Sequence, residues 1–305
     1  MRALRSVAVG VSVAIAACTF AGGSAAQGLA SADLARLRSV GSVALSPDGH
    51  RVAYTVVMRD RPGRPYGQLW LMDMATQKSA RVGGEKDSGD SPLWSPDGKW
   101  LAFDGSQSGK GGLYVARADG SEITFLASTS GTNSPLPGTG KGMTWSPDGK
   151  QIAFARGGDG ICVIDSDGRN LRSLMTNGGA KPSWSPDGKK ILYFNNNPEK
   201  GRSWLELFVT DSAGGNVVMI TNDNITSEDP CWSPDGSKIY FVRQTDKLLE
   251  KASLFEIDLS GKNLRRLTSV SALDRHPSSS PDGSRIAFQS NRDGNNEIYV
   301  MRVSN

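Results

Sequence analysis

The sequence predicts an all-β chain, a six-bladed β-propeller built from four-stranded antiparallel blades. Three observations predict it. Nearly the same word is written six times: "LSPDGHRVAY" from Leu45, "WSPDGKWLAF" from Trp94, "WSPDGKQIAF" from Trp145, "WSPDGKKILYF" from Trp184, "WSPDGSKIYF" from Trp232 and "SSPDGSRIAF" from Ser279. The turn glycines Gly49, Gly98, Gly149, Gly188, Gly236 and Gly283 are spaced 39 to 51 residues apart, the period of a repeat architecture. The segments between them alternate apolar and polar residues between turn signals, with no amphipathic helix in the repeat region.

The unit around Gly236 shows each element in order. "DPCWS" is a short extended run that ends at a turn. In "PDG" the Pro presets φ, the Asp bonds its own backbone, and the Gly takes the positive φ that closes the hairpin. "SKIYFVR" is the second strand, with Ile239 and Phe241 on one face. After a polar loop, "ASLFEIDL" supplies Leu254 and Ile257 to a third, and "SGKN" turns the chain into "LRRLT", the fourth. A single such sheet cannot bury both faces, so six pack radially around a channel. Trp94, Trp145, Trp184 and Trp232 recur at one place per unit, replaced by Leu45 and Ser279 at the ends; a large flat side chain there reads as packing between blades.

The last unit lacks a fourth strand, because the chain stops soon after "NEIYVMRVSN". At the other end "LARLRSVGSVALSPDG" parallels "LRRLTSVSALDRHPSSSPDG". Leu34–Leu37 is therefore expected to complete the last sheet and remove the exposed edges. A short helix at Ser31–Leu37 is the competing assignment, since "SADLARLR" offers a Ser cap and good helix formers.

Residues 1–26 read as a secretory leader: Arg2 and Arg5, an apolar run from Val7 to Ala17, then "GGSAA" ending in a small-residue cleavage site at Ala26. The propeller then occupies 27–305. "IAAC" at Ile15–Cys18 also fits a lipobox, which would lipidate Cys18; either route exports the chain to the periplasm. Without the leader, 33 basic residues face 31 acidic ones. That near-neutral balance, with no basic block, does not fit a nucleic-acid partner, and no segment past the leader suggests a membrane span. Cys162 and Cys231 fall in different units and in strand-like apolar settings, so two buried free thiols are expected.

The connections divide into two kinds, and this carries the functional expectation. The SPDG turns are constant, and "MATQ", "ADGS", "SDGR", "SAGGN" and "LSGKN" vary little. The others, such as "MRDRPGRPYG", "STSGTNSPLPGTGKG", "NNNPEKGRS" and "RQTDKLLEKA", are longer and irregular. Alternate turns of an up-and-down blade point to opposite ends, so the irregular loops share one end, which becomes the expected binding face. The residues to watch there are Arg59, Arg61, Arg64, Tyr66, Trp204, Arg243, Lys247, Asp274, Arg275 and His276, because Arg and aromatic side chains anchor interfaces.

Chemistry-bearing motifs are scarce. The two histidines, His50 and His276, lie in the first and last units with nothing to gather them. No H-E-x-x-H, C-x-x-C, phosphate-loop or G-x-S-x-G string occurs. Asp48, Asp97, Asp148, Asp187, Asp235 and Asp282 sit one per unit and read as turn-formers, and "DSDG" at Asp165–Gly168 lacks the further ligands of a calcium loop. No catalytic residue, cofactor or metal is expected.

The six SPDG words, with "SNRDGNNEIYVM" at Ser290–Met301, resemble the WD-like repeats of the TolB-type propeller family over most of residues 40–303. That resemblance implies a six-bladed, periplasmic, non-enzymatic propeller, and a monomer is expected. It would bind a protein or peptide of the cell envelope, a peptidoglycan-associated lipoprotein among the candidates. TolB-type proteins carry an α/β domain ahead of the propeller, and the few residues between Ala26 and Leu45 do not match one. "SADLARLRSVGSVALSPDGHRVAYTV" and "QLWLMDMATQ" are also similar to the opening of the propeller in prolyl-oligopeptidase-family peptidases, without their hydrolase domain. The alternative to a binding module is a propeller enzyme acting on a polysaccharide or peptide through its channel.

Overall fold

The computed structural model describes residues 2–3, 39–60, 65–129, 142–157, 159–175, 178–196, 204–245, 251–268 and 272–303. Its strands form six four-stranded sheets. Strand β1 is Arg2–Ala3; the first sheet then contains β2 (Ser39–Leu45), β3 (Arg51–Met58), β4 (Tyr66–Asp73) and β5 (Ser79–Arg81). The second runs β6 (Ser88–Trp94), β7 (Trp100–Gln107), β8 (Lys110–Arg117), β9 (Thr124–Ala127). The third is β10 (Met143–Trp145), β11 (Gln151–Arg156), β12 (Gly160–Asp165), β13 (Arg172–Ser173). In the fourth lie β14 (Ala180–Trp184), β15 (Lys190–Asn196), β16 (Leu205–Asp211), β17 (Val218–Met219). The fifth holds β18 (Ser227–Trp232), β19 (Lys238–Gln244), β20 (Ala252–Asp258), β21 (Arg265–Arg266). The sixth has β22 (Asp274–Ser279), β23 (Arg285–Ser290) and β24 (Glu297–Arg302), with β1 on its outer edge. The protein is an all-β, six-bladed propeller.

Each SPDG word makes the same turn. In the second sheet the Ser95 hydroxyl donates to Asp97 at 2.7 Å and accepts from the Trp100 amide at 3.0 Å, while Asp97 also accepts from the Lys99 amide at 3.1 Å. The Gly98 amide donates to the Ser95 carbonyl at 2.9 Å, and Gly98 sits at φ 69°, where a side chain would be strained. The turn aspartates are thereby occupied in holding backbone.

Five buried layers lie between successive sheets. Between the first and second, Ala53, Leu69 and Leu71 meet Trp94, Leu101 and Phe103. Between the fourth and fifth, Phe194, Leu207 and Val209 meet Trp232, Ile239 and Phe241. Each fully buried side chain of this size contributes on the order of 2 kcal/mol. The tryptophans stitch as well as pack. Nε1 of Trp94, Trp145 and Trp232 donates to the Ala44, Leu93 and Ser183 carbonyls of the preceding sheet at 3.1, 3.1 and 3.0 Å. Ser279, which replaces Trp in the sixth sheet, reaches the Trp232 carbonyl through its hydroxyl at 3.0 Å. Trp184 alone of the four bonds its own turn, at the Gly188 carbonyl, 2.9 Å away.

Two features concern the last sheet. The edge of β24 pairs with Arg2–Ala3, Arg2 opposite Val300 and Ala3 opposite Tyr299, while Leu34–Leu37, expected to complete this sheet, lie outside the described residues. Residues 31–38, with the alternative helix at Ser31–Leu37, lie outside the described residues, as does Cys18. Secondly, among the described residues no sixth buried layer forms between the last and first sheets. Ile286 and Phe288 face the fifth sheet, so the alternate positions Ala287 and Gln289 face away; the fifth sheet places Tyr240 and Val242 there. Val43 and Leu45 on the first sheet are accordingly 62% and 59% exposed, and Ile298 on the last 69%. Cys162 and Cys231 are both free thiols, and burial pushes the Cys231 thiol up to about 12.

Candidate functional site

The first strand of each sheet is innermost, and most of these strands carry an irregularity midway. Register shifts interrupt β2, β6, β14, β18 and β22 three to five residues before the SPDG word. In four of them a proline stands at the break: Pro92, Pro182, Pro230 and Pro277. Proline has no N–H to give the ladder, so the strand bulges there. The residue before each proline adopts the left-handed region: Ser91 at φ 52°, Lys181 at 47°, Asp229 at 51° and His276 at 51°. Side chains other than glycine rarely sit there, and such positions concentrate at functional sites. In the third sheet Gly142 holds the equivalent place, where a Cβ would come within 2.6 Å of the Lys181 Cα.

Three of these bulges join across three sheets. Lys181 Nζ donates to Asp229 Oδ1. His276 Nδ1 lies 3.0 Å from Asp229 Oδ2, and the His276 amide donates to the same oxygen at 3.3 Å. The Asp229 side chain is 7% exposed, against 31% for Lys181 and 55% for His276. Burial by itself would raise the Asp229 carboxyl, but the His276 hydrogen bond and the Lys181 charge outweigh it and hold the group well below the usual carboxylate range. The neighbouring Glu228 moves the opposite way, raised by burial and then by the Asp229 charge. Arg275 is exposed beside them.

The structure disperses the residues expected from sequence. His276 is gathered into this bridge, contrary to the expectation that nothing gathers it, and Arg275 flanks it. Arg243 is buried, ion-paired with Asp223 and lying 5.6 Å from the Phe255 ring. Asp274 is fully buried between the Arg292 guanidinium at 3.1 Å and the Thr268 hydroxyl at 2.6 Å. Both therefore hold the sheets and are not surface anchors. Arg59 is exposed, and Trp204 is partly so. Tyr66 donates to Asp60 at 2.8 Å and lines a cleft of about 290 Å³ between the first two sheets, together with Asp90 and Asp104. Arg61, Arg64 and Lys247 lie outside the described residues. Sequence reasoning missed Lys181 and Asp229. The signal was present in the repeated residue-before-proline position, which varies from unit to unit while its surroundings do not.

Six four-stranded sheets with a uniform SPDG turn in each, and a charged bridge across the inner strands of three of them, define a repeat β-propeller. A family model described as the TolB beta propeller domain matches residues 34–160 and 159–305. The chain belongs to that family. It is 27% identical over 215 residues to the uncharacterized peptidase YuxL of Bacillus subtilis, covering 68% of this chain and 30% of that protein. It is also 35% identical over 147 residues to the TolB homolog of Chlorobium luteolum, covering 46% and 28%. The chain thus spans less than a third of the length of these two curated relatives. Among solved structures, a putative TolB from Agrobacterium tumefaciens matches with a TM-score of 0.57 at 20% identity, over 88% of this chain and 91% of that one. An oligogalacturonate lyase in complex with manganese matches with a TM-score of 0.63 at 19% identity, over 86% and 76%. At such identities these structures speak for the fold alone.

Proposed function

We propose that the chain is an exported propeller that captures a protein or peptide partner in the cell envelope, without catalysing a reaction, at the end where its irregular connections gather. What carries this reading is the contrast between two kinds of connection. The SPDG turns are uniform, each with its serine hydroxyl donating to the aspartate two residues on. The long connections differ from sheet to sheet in length and sequence, with Arg59, Tyr66, Trp204 and Arg275 on or beside them. Similarity to TolB proteins supports a partner in the envelope, a peptidoglycan-associated lipoprotein being the first to try. The leader-like residues 1–26 support export to the periplasm, by cleavage after Ala26 or lipidation of Cys18. The test is capture of crosslinked partners from an envelope fraction by the exported chain. Replacing Arg59, Tyr66 and Trp204 by Ala should lower the yield several-fold with little change in melting temperature. An equal yield from the triple variant would remove the loop-bearing end as the binding face.

One observation favours a second reading, a propeller enzyme acting on a polysaccharide or peptide. The Asp229–His276 pair orients an imidazole beside Glu228, two carboxyls driven apart in acidity, as acid and base pairs are. Turnover of an oligosaccharide or peptide by the purified chain, abolished by His276→Asn, would establish it.

A further inference from the structure

The bridge across the fourth, fifth and sixth sheets has an inside and an outside. Its one strongly held anion, Asp229, is nearly enclosed, and both of its oxygens are engaged, Oδ1 by Lys181 and Oδ2 by His276. Lys181 and His276, which it anchors, are more exposed than it is. A lysine ammonium has three donors and the bond to Asp229 uses one. The His276 ring engages Asp229 through Nδ1, so Nε2 adds a further donor only on a protonated imidazole. Arg275, one residue earlier on β22, is exposed and closes no ion pair among the described residues. The nearby Glu228 is a weakened competitor for these cations, because burial raises its carboxyl. The surface presented outward therefore carries the Lys181 ammonium and the Arg275 guanidinium, with the Asp229 carboxylate behind it.

We propose that the rim formed by Lys181, Arg275 and His276 receives a carboxylate of an acidic peptide segment. The proposal deepens the binding reading and rests on it, by naming the chemistry of the partner at this rim. The strained backbone fits that role. Lys181 and His276 on the rim, and the Asp229 that joins them, have backbone held in the left-handed region on neighbouring sheets, and the bonds to Asp229 tie the two side chains down before a ligand arrives. A carboxylate can take donors from two of these groups at once, and charge-assisted bonds of this kind are stronger than neutral ones.

The probe is acetylated and amidated tetraglutamate, titrated into the isotopically labelled chain while backbone amide NMR shifts are followed. Tetraglutamine and inorganic phosphate are the controls. Saturable shifts at Lys181, Asp229, Arg275 and His276 with tetraglutamate alone are the expected result, weakening as salt is raised. Arg275→Gln should reduce the affinity about fivefold, the scale of one exposed charge contact. His276→Asn should reduce it as well, since Asn accepts the positive φ but brings no imidazole. Lys181→Ala is avoided, because it would leave the buried Asp229 unpaired. Equal shifts with tetraglutamine, phosphate binding as tight as tetraglutamate, shifts only at other sites, or no shifts at about 10 mM, well above the usual range of specific binding, would each overturn the proposal. A positive result here alongside unchanged partner capture would sink the loop-face reading and keep the rim; the reverse would sink the rim alone.

Discussion

At the scale of single residues, the most repeated interaction in the chain is the grip of a serine hydroxyl and one backbone amide on one aspartate. Asp48, Asp97, Asp148, Asp187, Asp235 and Asp282 are all held below the ordinary carboxylate range, first by the hydrogen bond from the serine two residues before. For Asp235 and Asp282, where a second serine also donates, the value falls to about 2. A carboxyl with a lower pKa in the folded chain than in the unfolded one adds stability above the unfolded value and loses it as pH falls through the folded value. With an unfolded aspartate near pH 3.9, melting temperature should hold level on this account from neutrality down to about pH 4. It should then decline towards pH 2. Melting curves of the parent and of Asp282→Asn, followed by circular dichroism, check this. The variant should show a shallower acid decline, and parallel slopes would mean that the turn aspartates do not govern acid stability.

At the scale of the strand and sheet, the tryptophan before each turn is the link from one blade to the next. Trp145 is buried in the layer between the second and third sheets and donates to the Leu93 carbonyl. Trp145→Phe keeps most of the ring's packing but leaves that carbonyl without its partner, a loss of about 1–3 kcal/mol in urea unfolding. A loss well below that range would show that packing alone matters at this position. Much of this level was legible beforehand. The six words, the strand alternation and the turn glycines pointed to four-stranded sheets, and the structure has them. The reading of Trp as packing between blades rested on residue size, and its indole hydrogen bond was not visible in a pattern of letters. The inner bulges were less legible, because a residue before proline in a short extended run looks like an ordinary strand end. Hence Lys181 and Asp229 escaped notice although they lie three residues before Trp184 and Trp232. Arg243 and Asp274 failed in the opposite sense. Their charge suggested the surface, whereas Asp223 and Arg292 supply partners that let them be buried.

At the scale of the whole molecule, burial is unevenly shared among the sheets, and stability should follow it. Each sheet packs only on its neighbours, so the array behaves as a row of units coupled through their interfaces. The second, third, fourth and fifth sheets have a buried layer on each side. The first has one, against the second, and the sixth has one, against the fifth. In β18 the inner strand of the fifth sheet is buried or half-buried throughout, while β2 is largely exposed and β24 keeps only Tyr299 buried. Local opening costs least where few apolar contacts are lost. Amide hydrogen exchange should therefore be slowest in β7, β11, β15 and β19, and faster in β3 and β23, which hold the same central position in sheets covered on one side. If β3 and β23 proved as protected as β15, the last and first sheets would have to be pressed together in solution as tightly as any other pair. The polar Gln289 and small Ala287 on that face argue against so dry a contact. Movement between those two sheets disturbs no buried layer among the described residues. The rigid part is then the arc from the second to the fifth sheet, which carries Lys181 and Asp229, while His276 stands on the sixth sheet.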